Sequence, residues 1–186
     1  MSICLGIGLS AACGFRVFVP LLVMSIASRS GHLTLAPGFA WIASYPALLT
    51  FSVASVLEIA GYFIPWFDHC LDVIATPAAI FAGTVVTASQ VTGASPYLKW
   101  TLAAIAGGGV AGLVQGTTVA TRGASTATTG GLANPLVATL ELAGAVVTSI
   151  MALVAPVLIV ALVGVLLIVC GRRLLKKSPG IVRAVR

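Results

Sequence analysis

Residues 136–171 read LVATLELAGAVVTSIMALVAPVLIVALVGVLLIVCG, 36 residues in which Glu141 is the only charged side chain. A helix crosses the hydrocarbon core of a bilayer with about 20 apolar residues. A run of 36 is too long for one span without extreme tilt. Pro156 lies inside it and lacks a backbone N–H, so it is the natural break. The stretch predicts two membrane helices, about 135–153 and 156–172.

The rest of the chain reads the same way. Of its 186 residues 59% are hydrophobic and 8% charged, with a mean hydropathy of +1.14. Soluble domains carry about 25% charged residues. This composition excludes an ordinary cytosolic enzyme, a disordered chain and a nucleic-acid module, and leaves an all-α integral membrane protein.

Further apolar segments occupy residues 3–27, 41–65, 73–92 and 100–120. Polar connections at 28–40, 66–72, 93–99 and 121–135 separate them. Trp41, Tyr45, Trp66, Tyr97 and Trp100 fall at their ends, as interfacial aromatics do. About six transmembrane helices result, in a single domain over 1–172. No basic n-region precedes the first apolar segment and Arg16 interrupts it, so it reads as a retained span rather than a signal peptide.

Net charge is +6, and Arg172, Arg173, Lys176, Lys177, Arg183 and Arg186 follow the last apolar run. Residues 173–186 therefore read as a basic cytoplasmic tail, with anionic lipid as a candidate partner. Six spans put both termini in the cytoplasm. The inner loops and tail then hold seven Lys/Arg, counting Arg122, against Arg29 and Lys99 outside.

Leu57-Glu58-Ile59-Ala60-Gly61 and Leu140-Glu141-Leu142-Ala143-Gly144 match, and they hold the only two glutamates of the chain. Each precedes a proline at the next span, Pro77 or Pro156. Gly14-Phe15-Arg16 lines up loosely with Gly116-Thr117-Thr118. The match suggests two inverted three-helix repeats, about 1–93 and 94–172, with a site at their interface.

An ionisable residue at mid-bilayer costs about 2.5–3.5 kcal/mol on the insertion scale. Arg16, Glu58 and Glu141 must therefore be paired, protonated or wet. Arginine stays charged, so Arg16 needs an anion, with Glu58 or Glu141 as the obvious partner. One arginine cannot neutralise two glutamates, and the remaining carboxyl is suited to carry a proton. The competing reading makes these charges structural clamps.

Ser125, Thr126, Thr128 and Thr129 offer hydroxyls, and Gly130 and Gly131 permit unusual backbone. This segment either lines a path, as irregular backbone at membrane depth must, or is a plain polar loop. Asp68-His69-Cys70-Leu71-Asp72 is read as a solvated inner-loop turn rather than a metal cluster. Gly108, Gly112 and Gly116 form a close-packing face, internal or at a homodimer seam. Cys4, Cys13, Cys70 and Cys170 show no CxxC spacing, and His32 and His69 sit in separate loops. No catalytic constellation is present, and no cofactor, metal or nucleic acid is called for.

Four strings are distinctive together: residues 8–22 (GLSAACGFRVFVPLL), 57–60 (LEIA), 75–78 (ATPA) and 122–131 (RGASTATTGG). They resemble a bacterial membrane-protein family known as domain of unknown function 4126, over roughly residues 3–170. The resemblance implies an integral membrane protein and supplies no activity.

The residues point to a small transporter or channel of the bacterial inner membrane. Arg16 would hold an anionic group or pair with Glu58. Glu58 and Glu141 would carry proton or cation coupling, and Ser125–Gly131 would line the path. A small anion, a metal ion or a lipid headgroup is the expected solute. The alternative is a non-transporting scaffold or assembly factor.

Overall fold

In a computed structural model, residues 1–64 and 67–176 are described, and they are helical with no strand among them. The helices are α1 (Ser2–Cys13), α2 (Phe18–Arg29), α3 (Tyr45–Tyr62), α4 (Phe67–Ala88), α5 (Pro96–Leu102), α6 (Gly109–Thr129), α7 (Asn134–Val154) and α8 (Pro156–Lys176). A 3-10 turn at Ala40–Ala43 precedes α3, and a π-turn at Ala103–Gly108 joins α5 to α6 in one rod.

Local chemistry sets these boundaries. Ser44 caps α3 by accepting the Ala47 N–H, with a proline in the first turn. Ser95 does the same for α5 through the Leu98 N–H. Gly130, at φ +63°, ends α6 in the left-handed conformation that glycine tolerates. The long apolar run divides at Ala155-Pro156, where Ala155 leaves the helical region (φ −139°, ψ 66°). The proline thus ends α7 and opens α8, as its missing N–H predicts.

Four segments are long and apolar enough to cross a membrane: Tyr45–Tyr62, Cys70–Ala88, Pro96–Thr129 and Asn134–Val154. Residues 3–27 are not a fifth crossing of this kind. They form a helical hairpin. Near its start, a Cβ on Gly6 of α1 would lie 3.1 Å from the Cα of Thr87, at the C-terminal end of α4. Past the end of α2, the Ala36 N–H donates to the carbonyl of Ser89, just beyond α4, at 2.7 Å. The Met24 sulfur lies 3.6 Å from the Ser89 hydroxyl. Both ends of the hairpin therefore sit at the same end of the bundle, and the chain doubles back at residues 14–17. Two short apolar helices thus stand where the sequence suggested one long one.

α1 fills the centre, packed by α4, α6, α7 and α8. Apolar helices gain little from the hydrophobic effect when they associate in lipid, so close approach of small residues must do the work. Gly8 faces Ala152 and Ile159, while Gly14 faces Val114 and the Ala111 carbonyl. The Ser10 hydroxyl donates to the Gly83 carbonyl at 2.7 Å.

The expected glycine face splits. Gly108 and Gly112 do pack, against Thr84 and Ile80 of α4, so the contact is internal. Gly116 faces open space and leaves that row. Gly107 is the tightest position: a Cβ there would meet the Thr87 hydroxyl and lie 2.5 Å from the Gly83 carbonyl oxygen. Gly107→Ala should destabilise the protein by about 1–3 kcal/mol through overpacking. Gly116→Ala should be neutral or gain up to about 1 kcal/mol. Thermal unfolding in detergent, read side by side, checks both.

The two halves differ in shape. Gly14-Phe15-Arg16 breaks a helix, whereas Gly116-Thr117-Thr118 lies inside α6. The basic tail is described only as helical backbone to residue 176, and the rest of it lies outside the described residues.

Candidate functional site

The hairpin tip is where the buried charges meet. α2 begins without a side-chain cap of its own, although the first N–H groups of any helix lack an internal partner. Glu58 of α3 supplies it from across the bundle. Its Oε1 accepts the Val17 N–H at 2.7 Å and its Oε2 the Phe18 N–H at 3.1 Å. A carboxylate also complements the positive end of the α2 dipole.

Arg16 projects from the same turn and is 1% exposed. Its Nη2 donates to the Ala138 carbonyl at 2.9 Å and stands 3.6 Å from Glu141 Oε2. Its guanidinium carbon lies 3.9 Å from the Tyr62 ring centre. Nε and Nη1 have no hydrogen-bond partner among the described residues. Of its two expected partners, Arg16 therefore meets Glu141, while Glu58 caps the helix beside it.

Arg122 is equally buried but closed. Its Nε donates to Glu141 Oε1 at 3.1 Å and its Nη2 to Glu141 Oε2, a two-pronged match of guanidinium to carboxylate. Its Nη1 donates to Asp72 Oδ1 at 2.5 Å. The Tyr62 hydroxyl donates to the same oxygen at 3.1 Å, and the Arg122 guanidinium also lies over the Tyr62 ring. These bonds tie α3, α4, α6 and α7 together at one point.

Arg16, Glu58 and Glu141, which stand 125 positions apart at their extremes, are thus brought together. Arg122 and Asp72 join them, against the expectation that both lie in solvated inner loops. The reason is helix length. α4 starts at Phe67, not at 73, and α6 runs on to Thr129, not to 120. The Asp68–Asp72 turn is therefore helix. A spacing signal was present: Gln115, Thr118 and Arg122 recur at i, i+3 and i+7, as do Ser55, Glu58 and Tyr62. All six are buried.

The hydroxyl segment behaves otherwise. Ser125, Thr126, Thr128 and Thr129 are the last turns of α6 rather than irregular backbone. Thr128 and Thr129 are exposed and donate to carbonyls three or four residues back in their own helix. Thr126 accepts from Asn134 at 3.0 Å. Gly130 and Gly131 form the positive-φ turn to α7.

A groove of about 570 Å³ opens between α3 and α4 beside the tip. Glu58 and Tyr62 are on its inner wall, with Phe18, Leu57, Phe67 and Ile74 around them.

Residues 3–176 match the family model described as domain of unknown function DUF4126. The chain belongs to that family. No curated protein and no solved structure matches it. The DUF4126 match brings no activity with it, so function has to be read from the buried cluster.

Proposed function

We propose that this DUF4126 chain is a small multi-pass transporter or channel of the bacterial cytoplasmic membrane, with the hairpin tip as its solute and coupling site. One observation carries the reading: Arg16 is buried at a helix break with two unpartnered N–H donor positions, beside a carboxylate that holds the adjoining helix. Non-helical backbone at membrane depth belongs where it lines a cavity or is held by protein. A buried donor without a partner is costly, and a solute or water oxygen would satisfy it. Ser55 Oγ, one turn from Glu58, and Gln115 Nε2 of α6 are buried donors of the same kind.

The two glutamates of the matched strings come to this cluster from opposite halves of the chain, which supports a site between two related units. The basic tail supports a cytoplasmic C terminus. The hairpin keeps the N terminus on the side of the 30–44 connection, and five crossings from α3 to α8 put that side opposite a cytoplasmic C terminus.

A second reading has its own support. The closed Arg122–Glu141–Asp72 contact fits a scaffold held by intramembrane clamps. Flux separates the two. Purified protein in liposomes is assayed for proton and ion flux, as wild type, Glu58→Gln and Glu141→Gln, across small anions and cations. Flux that Glu58→Gln abolishes, in a protein that still elutes as a single folded species, supports transport. No flux of any solute, with variants that are only less stable, supports the scaffold.

A further inference from the structure

The groove between α3 and α4 joins an apolar slot to one carboxylate. Among the described residues, the cluster sets two guanidiniums, Arg16 and Arg122, against three carboxylates, Glu58, Asp72 and Glu141. Arg122 takes Asp72 and Glu141, and Arg16 stands nearest Glu141. Glu58 makes no ion pair among the described residues; its only partners are the Val17 and Phe18 N–H groups. It is also the one of the three carboxylates on the groove wall.

The other walls decide what can join it. A divalent metal needs several oxygen ligands, and among the described residues Glu58 and the Tyr62 hydroxyl are the only side-chain oxygens on the groove wall. Phe18 and Phe67 line it as aromatic rings, of the kind that attract organic cations, while the Tyr62 ring is taken by Arg16 and Arg122. Leu57, Ile64, Phe67 and Ile74 are 65%, 54%, 49% and 67% exposed at the mouth, on α3, just past its end and on α4. Access is therefore from the side, where an apolar solute partitions.

Building on the transport reading, we infer that this groove binds a lipophilic monovalent cation, a bulky amine or onium ion, which exchanges with a proton on Glu58. The step balances: the cation arrives, the Glu58 carboxyl releases one proton, and the carboxylate keeps one positive partner. Among the described residues, the charged and titratable groups near Glu58 are Cys13 from α1, Arg16 from the tip, Tyr62 on its own helix and Arg122 from α6, with Asp72 of α4 and Glu141 of α7 behind Arg122. The fixed positive charges already have Glu141 and Asp72 beside them, so the exchange falls to Glu58.

The test is calorimetric titration of the purified full chain with tetraphenylphosphonium, and with tetraphenylborate, its near-isosteric anion. Proton release into weak buffer is followed in parallel. Wild type should bind the phosphonium saturably with proton release and discriminate against the borate. Glu58→Gln should weaken binding roughly 30-fold or more. Ala78→Phe, which fills the groove wall and leaves Glu58 in place, should weaken it comparably.

Equal binding of both ions, or phosphonium binding unchanged by both variants, overturns the inference. The ion contrast needs no variant, so it stands even if Glu58→Gln fails to fold. No phosphonium binding, with Glu58-dependent flux of small inorganic ions, overturns this inference and leaves the transport reading. No binding and no flux overturns both.

Discussion

Arg122→Gln should cost about 3–5 kcal/mol and leave little folded protein in detergent. Removing one partner of a buried ion pair strands the other charge. Here it takes the forked partner from Glu141, which keeps only the looser 3.6 Å contact with Arg16, and a guanidinium from Asp72, both carboxylates being 5% exposed. Total stability of a typical domain is about 5–15 kcal/mol, so a loss of this size is near the limit. Arg122→Lys should rescue only in part, because one ammonium cannot fork onto Glu141 and also reach Asp72. Neutralising all three groups, with Arg122→Gln, Asp72→Asn and Glu141→Gln together, should recover more than half of the loss. Thermal unfolding and the yield of monodisperse protein check the series. An Arg122→Gln protein as stable as wild type would remove the clamp from this account.

Arg16→Gln should do the reverse: abolish flux while changing stability by only about 1 kcal/mol. Arg16 is as buried as Arg122, but it makes a single hydrogen bond and a looser 3.6 Å pair. Its two unpartnered nitrogens already carry a desolvation cost, and removing them relieves it. Glu141 keeps Arg122 in the variant, so no carboxylate is left without a cation beside it that had one before. Sites that work by binding or exchange commonly hold such unfavourable groups at some expense of stability. Flux and unfolding of the same preparation decide the matter. An Arg16→Gln protein that unfolds as readily as Arg122→Gln would make Arg16 a second clamp.

These contrasts show which parts of the molecule were readable in the chain. Membrane helices follow from apolar run length, and the α7–α8 break follows from Pro156, because both are local. Arg16, Glu58 and Glu141 were visible as candidates because charge is rare in such segments and costs energy there. Asp72 and Arg122 escaped because they lie near polar stretches that look like loops. A helix continues through hydroxyl-rich sequence when Ser and Thr donate to their own backbone, as Thr121, Thr128 and Thr129 do. The stripe Gln115, Thr118, Arg122 marks that continuation, yet it gains meaning only against the facing stripe on α3. The hairpin escaped for another reason. Residues 3–27 have the length of one crossing, and the turn at 14–17 is fixed by distant partners: Val114 against Gly14, and Glu58 under α2. No local rule encodes those contacts.

That hairpin is the centre of the account, since it is what brings Arg16 and the α2 N-terminus to Glu58. Its most direct test is the sidedness of its two ends. Ser2 and His32 are exposed, and each can be replaced singly by cysteine after the four native cysteines are removed. Labelling with a membrane-impermeant thiol reagent is then compared in right-side-out and inverted vesicles. The doubled-back hairpin predicts that Ser2→Cys and His32→Cys are labelled from the same side. Labelling from opposite sides would mean that residues 3–27 cross the membrane once, and would contradict the site built on their turn.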